Sequence, residues 1–488
     1  MKNKTDSILT SSKWVFGRLV LVQIFNLFAI SIIARKLSPE EFGLVAIATI
    51  LITFLNNVIT QGVSQFVIFD RKENEERLNS AFWLNLFISF FICALGFFLA
   101  PVISDFYNEP DIQIIIHLLL LRVPFESVIV IIDASINKKL QFKILEKRDI
   151  IIQFFSISIS ILMALTGFGI WSLVFPSIIS VLIRFLITFH ITVWRPKLSF
   201  NTSHWREIFT YSSKIIASSI TNFFIAEGDT LFIGKILGSY KLGIYNLSWR
   251  ASNLVSRNIV SLVNKMSFPY IAKSGNNYKD VLLKINKIFR ILSLITFPIL
   301  FLLIVLAEDF ILGIYGLQWK ESILPFQILL IYAIRYSVGA PIGAVYKAIG
   351  RPDINLKIGL SMMPFYILAI YFGSYYGIIG VAIGVTFIRT FFGLVSFIIL
   401  ANILQTYVSI ILMQMKNSFF AAMITAIIIK ITKQLFINIF DFNQISSFTI
   451  LFSLGIILYL FLIKVFFKES YNEIHKIFKK ILIKKIEL

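Results

Sequence analysis

The chain has 488 residues, 57% of them hydrophobic and 15% charged, with a mean hydropathy of +0.84. A soluble protein of this length needs more polar residues to cover its surface, so the composition excludes the soluble globular classes. The net charge of +20 belongs to basic cytoplasmic loops in such an apolar chain, and no nucleic-acid partner is expected.

What remains is an all-α polytopic membrane protein, because repeated apolar stretches of about 18 residues or more need lipid as solvent. The single cysteine, Cys93, excludes an internal disulfide and any cysteine-based metal cluster. His117, His190, His204 and His475 stand at no metal-ligand spacing, and there is no glycine-rich phosphate loop or nucleophile elbow. The sequence therefore predicts no cofactor, no metal and no enzyme chemistry.

The basic N-terminus, MKNKTDSILTSSKW, leads into a first apolar run without a small-residue cleavage site, which reads as a retained helix. In chain order the candidate spans are 14–34, 42–66, 80–104, 112–133, 149–168, 170–192, 212–237, 242–265, 288–312, 322–346, 354–375, 377–402, 417–436 and 446–467. The breaks TGFG (166–169) and SYYG (374–377) are tight turns between neighbouring helices.

Fourteen spans place both termini on one side, and the basic loops say which. Loops after even-numbered spans carry Arg71, Lys72 and Arg77, then Lys138, Lys139, Lys143, Lys147 and Arg148, then Arg195, Lys197, Arg206 and Lys214. The opposite loops carry few, so both termini are cytoplasmic. Two stretches, 137–149 and the tail HKIFKKILIKKIEL (475–488), mix Lys with Ile, Leu and Phe and are expected to rest on membrane lipid.

A repeat sets the architecture. ARKLSPEEFGLVAIA (34–48) is echoed by GKILGSYKLGIYNLS (234–248), with Leu37 and Gly43 opposite Leu237 and Gly243. The offset equals six spans, an even number, so the two copies insert in the same sense. The expected domains are a first lobe of spans 1–6 (1–205), a second lobe of spans 7–12 (206–415), and spans 13–14 with the basic tail (416–488).

Charged residues inside the spans point to a site. Arg122 and Arg335 stand mid-span in the equivalent spans 4 and 10, and Arg184 and Arg389 in the equivalent spans 6 and 12. In span 8, Asn246, Arg250, Asn253, Arg257, Ser261 and Asn264 fall on one helical face; Asn57 and Gln61 belong to a shorter stripe in span 2. A guanidinium near the bilayer centre costs about 2.5–3.5 kcal/mol on insertion scales, so such residues face water or other helices. Glu126 is placed to pair with Arg122 one turn away, and with Glu227 and Asp229 it makes up the candidate ion-coupling carboxylates. The arginines outnumber these acids, which predicts a hydrated cationic cavity that takes an anion through Arg122, Arg184, Arg250, Arg257, Arg335 and Arg389.

Three stretches carry a resemblance: ARKLSPEEFGLVAIA (34–48), GFGIWSLV (167–174) and GDTLFIGKILGSYKLGIYNLSWRA (228–251). With fourteen spans and basic loops, the chain resembles the Wzx-type polysaccharide flippases, the PST branch of the MOP (multidrug, oligosaccharidyl-lipid, polysaccharide) exporter superfamily. The resemblance implies a MATE-like fold of two six-helix lobes and two further helices in a bacterial inner membrane. It also implies alternating-access transport of undecaprenyl-pyrophosphate-linked oligosaccharide for O-antigen, capsule or exopolysaccharide, and glycan polymerase and other biosynthesis proteins as partners. The alternative is a MATE-type cation or multidrug antiporter, which has the same fold but needs net negative charge in its cavity.

Overall fold

A computed structural model of the chain describes residues 25–70, 74–139, 141–192, 194–199, 201–275, 277–439 and 443–467. No strand occurs among them, and eleven helices are long and apolar enough to cross a membrane. The first expected span is described only from residue 25, and the basic tail from 475 lies outside the described residues.

The first half holds α1 (25–36), α2 (Pro39–Phe69), α3 (Glu75–Tyr107), α4 (Asp111–Leu120), α5 (Arg122–Lys138), α6 (Phe142–Leu165) and α7 (Trp171–Ile191). Next comes α8 (Thr202–Ala272), whose helical run is interrupted in its backbone at Gly238. The remainder is α9 (Tyr278–Val305), α10 (Ala307–Ile314), a 3-10 turn (Leu317–Ser322), α11 (Ile323–Gly339), α12 (Ile342–Ala348), α13 (Asp353–Ser374), α14 (Gly377–Ile403), α15 (Val408–Met413), α16 (Lys416–Ile439) and α17 (Gln444–Phe466).

Local chemistry explains the boundaries that matter. The α2 start is a capping box: the Glu41 amide donates to the Ser38 hydroxyl at 3.2 Å, and the Ser38 amide donates to the Glu41 carboxylate at 2.7 Å, with Pro39 in the first turn. The fourth expected span is a broken helix, α4 then α5, interrupted at Leu121. Pro124 has no amide hydrogen to give the Leu120 carbonyl one turn back, and the Cys93 thiol approaches that carbonyl at 3.6 Å instead. Arg122 follows the break directly.

At Gly238 the backbone takes φ 82° and ψ 172°, a region essentially reserved for glycine. The chain turns back there, since the Tyr245 hydroxyl donates to Asp229 at 2.9 Å across the turn. The two arms of α8, 202–237 and 239–272, thus correspond to the expected spans 7 and 8.

The described residues form two compact units, divided in the chain between Asn246 and Leu247. In the N-terminal unit, α5 packs against α2, α3 and α7, around Val63, Phe66, Phe82, Ile131, Ile132 and Ala134. In the C-terminal unit, α11 packs against α9 and α14, and α9 also carries α16; Phe289, Phe397, Leu400 and Tyr346 are central to that core.

The repeated motif is itself a packing device. A Cβ added at Gly43 would strike the Ser239 carbonyl oxygen, and one added at Gly243 would strike the Pro39 carbonyl oxygen. Pro39 and Ser239 are equivalent under the repeat, as are Gly43 and Gly243, so the contact is reciprocal. Lipid supplies no hydrophobic drive between helices, and small residues that let backbones meet take its place. Around this crossing, Ser239 donates to Glu109 at 2.5 Å, and the Tyr107 hydroxyl donates to the Leu231 carbonyl at 3.2 Å.

Gly243→Ala is therefore expected to destabilise the protein by about 1–3 kcal/mol, because its methyl meets backbone and not a flexible side chain. Thermal unfolding of the detergent-purified protein measures the loss; a midpoint equal to wild type contradicts the crossing.

Candidate functional site

In the N-terminal unit the membrane-embedded arginines are paired with acids. Arg122, opening α5, donates to Glu126 at 2.7 Å, one helical turn away. Arg184 on α7 donates to Asp133 at 2.9 Å and lies 3.5 Å from Asp149. Asp133 also receives a forked pair from Arg148, at 2.5 and 2.8 Å, and Arg148 reaches Thr188 at 2.6 Å and Asp149 at 2.8 Å. Three helices, α5, α6 and α7, are joined through this one network.

Arg148 and Asp133 were missed as site residues. The sequence assigns Arg148 to a basic cytoplasmic loop, whereas it is 2% exposed, inside α6. Asp133 ends the apolar run 112–133, and an acid inside IIDAS followed later by the pair Arg148–Asp149 was the available signal.

The candidate coupling carboxylates differ in setting. Glu126 is held by Arg122 and half-buried. Glu227 is half-buried on α8. Asp229 is buried, accepting from Tyr245 and from the Thr230 amide at 3.0 Å. Those bonds make it part of the α8 turn.

In the C-terminal unit aromatic rings face Arg335 and Arg389. The Arg389 guanidinium on α14 stands over Trp249 at 4.6 Å, Tyr366 at 4.8 Å and Tyr332 at 5.4 Å, and it donates to the Tyr366 hydroxyl at 2.5 Å. Arg335 on α11 stands over the same Tyr332 ring at 5.3 Å. Trp249 and Tyr332 stack at 5.6 Å, and Tyr332 meets Tyr336 at 5.7 Å. Cation–π contacts of this kind contribute about 0.5–2 kcal/mol each and leave the charge in place.

Arg335 has no ion-pair or hydrogen-bond partner among the described residues, and its buried Nε is unsatisfied. Its guanidinium fills a notch left by two glycines: a Cβ at Gly393 would overlap it, and one at Gly339 would lie 3.0 Å from Nη1. Arg257 on α8 is exposed.

Of the other expected residues, Arg250 is exposed, Asn246 and Asn57 are half-buried, and the side chains of Gln61 and Asn264 lie outside those described. Asn253 is buried and donates to the Trp249 carbonyl of its own helix at 2.9 Å. The structure thus brings Arg335 and Arg389 to one ring, Tyr332, and sets Arg122 and Arg184 against carboxylates.

Residues 32–324 match the family described as "Polysaccharide biosynthesis protein". The lipopolysaccharide biosynthesis protein WzxC of Escherichia coli (strain K12) is 24% identical over 403 residues, covering 81% of each chain. Among solved structures, the lipid II flippase MurJ in an inward closed conformation matches with a TM-score of 0.72 at 18% identity, over 95% of this chain and 99% of that one. An inward-facing multidrug resistance MATE family transporter of the MOP superfamily matches with a TM-score of 0.63 at 14% identity, over 79% of this chain and 94% of that one. These structural likenesses establish the MATE-like fold.

Asp133 takes the forked bond of Arg148 and a bond from Arg184, and its removal leaves Asp149 as the one carboxylate of the network facing both guanidiniums. Asp133→Ala is expected to cost about 3–5 kcal/mol, the range for breaking a buried pair from one side. Thermal denaturation in detergent measures it, and a near-neutral result rules out Asp133 as the hub of the network.

Proposed function

We propose that this chain, which belongs to the polysaccharide biosynthesis protein family, is a flippase that carries undecaprenyl-pyrophosphate-linked oligosaccharide across the bacterial inner membrane by alternating access. The observation that carries this reading is Arg335. It is a guanidinium within a membrane-crossing helix that has no acid on it among the described residues. An uncompensated cation in that position is costly unless the working cycle supplies an anion, and a diphosphate headgroup is such an anion. A cation antiporter asks for the opposite sign, so the MATE alternative loses ground although its fold is shared.

The names of the relatives agree with this reading. WzxC is a lipopolysaccharide biosynthesis protein, and MurJ is a flippase of lipid II. A multi-pass protein of this kind has membrane lipid and the lipid-linked glycan as its immediate partners. Because the flipped unit next meets an enzyme that joins repeat units, a glycan polymerase is the expected neighbour on the outer side.

For energy coupling, Glu126 is better supported than Glu227 or Asp229. Its carboxylate accepts from the Arg122 guanidinium at 2.7 Å inside a membrane-crossing helix. Asp229 already serves the α8 turn.

Deleting the gene tests the function. The expected outcome is loss of surface glycan with its undecaprenyl-linked precursor accumulating on the cytoplasmic leaflet, both reversed by the wild-type copy. Normal surface glycan in the deletion strain, together with energy-dependent efflux of a cationic dye by the purified protein in vesicles, overturns it.

A further inference from the structure

We infer that the two halves of the repeat have divided their arginines between two tasks. The diphosphate of the cargo is held in the C-terminal unit by Arg335, with Arg389 beside it, and the matching arginines of the N-terminal unit are structural cations. This rests on the flippase reading for the identity of the anion, and on side-chain geometry for its place.

The repeat makes the division visible residue by residue. Starting at Arg122 the chain reads RVPFESVIVIIDAS, and starting at Arg335 it reads RYSVGAPIGAVYKA. With the arginines superposed, Glu126 falls on Gly339 and Asp133 falls on Tyr346. The positions of Glu126 and Asp133 therefore carry no acid in the C-terminal copy. Tyr346 bonds the Ser396 carbonyl at 2.8 Å and offers Arg335 no charge. Gly339 goes further, since the position that supplies a carboxylate in one copy supplies room for a guanidinium in the other.

Gly393, facing the same guanidinium from α14, widens that room. Two glycines on two helices leave Arg335 seated but unneutralised. Arg389 and Arg335 share the Tyr332 ring, at 5.4 and 5.3 Å, so two like charges are held close by one quadrupole. Like charges gathered in a medium of low dielectric repel strongly, and an anion of two or more charges removes the repulsion. Guanidinium forks suit the oxygens of a diphosphate, which presents them on two linked centres. An acidic sugar offers a single carboxylate to the same groups, so the charge count favours the diphosphate.

The test uses the full-length protein in nanodiscs of zwitterionic lipid, with inorganic pyrophosphate as the probe and glucuronate as its rival at matched ionic strength. Pyrophosphate is expected to bind, with affinity falling as salt rises. Arg335→Ala is expected to weaken it by about tenfold or more, the loss of a charged hydrogen-bonding partner. Arg335→Lys keeps the charge without the fork and is expected to fall between.

Gly393→Ala leaves every charge present but pushes the guanidinium from its notch, and is expected to weaken binding while the protein still folds. Arg122→Ala is expected to lower thermal stability and leave pyrophosphate affinity unchanged. Equal pyrophosphate binding by wild type, Arg335→Lys and Gly393→Ala overturns the site, as does an Arg122→Ala loss as large as that of Arg335→Ala. Glucuronate binding at least as tight as pyrophosphate overturns the diphosphate assignment. If pyrophosphate binds as expected while a deletion strain keeps its surface glycan, the anion site stands and the flippase reading falls.

Discussion

An ionised guanidinium cannot be left alone in hydrocarbon, and the interior of this protein is arranged around that constraint. The N-terminal unit meets it with carboxylates: Glu126 for Arg122, and Asp133 with Asp149 for Arg148 and Arg184. Such a network gains in electrostatic strength from the low dielectric around it, but it also fixes its members, because removing any one strands another. The C-terminal unit meets the constraint with ring faces. Trp249, Tyr332 and Tyr366 attract the cations without adding negative charge. A carboxylate cancels a cation's charge, whereas a ring attracts the cation and leaves its charge in place.

A parallel constraint governs the backbone. In lipid every amide and carbonyl must be satisfied within the protein, so each break in a helix requires a local remedy. At Pro124 the freed Leu120 carbonyl lies next to Cys93. At the start of α2 the open amides of Ser38 and Glu41 are closed by one another's side chains. Helix pairing follows the same economy of space. Gly43 meets Ser239 and Gly243 meets Pro39, and Gly373 meets Gly380 at the turn between α13 and α14. These are the places where a methyl group is already too large.

Much of the fold was legible because its signals are local. Apolar run length anticipated the eleven described helices that are long and apolar enough to cross a membrane, and TGFG and SYYG gave turns that recur between α6 and α7 and between α13 and α14. The short match around Gly43 and Gly243 marks two segments that meet at those glycines. The arginines were legible too, as charges where charge is costly. Their partners were not. Asp133 closes an apolar run and Arg148 opens the next after a lysine-rich stretch, so composition assigns both to the membrane surface; only the packing of α5, α6 and α7 draws them into one buried cluster. The aromatic residues were hidden for a different reason. Tyrosine and tryptophan are ordinary at membrane depth, and nothing in their count sets Trp249 or Tyr366 apart. Tyr332 and Tyr336 bracket Arg335 within one helical turn, and that spacing was the available clue.

The contrast between acid and ring has a consequence for turnover. A carrier must release what it binds, so its site cannot be at its best only when full. If a carboxylate faced Arg335 in the position of Gly339, the arginine would be neutralised when empty, and the anion would have to displace it at every cycle. If nothing faced it, the empty state would be too costly to persist in the membrane. Rings lie between these limits. They lower the energy of the vacant guanidinium by a modest amount and do not compete for the oxygens of an arriving anion. The Tyr332 ring beneath both Arg335 and Arg389, at 5.3 and 5.4 Å, is a partner of this intermediate kind.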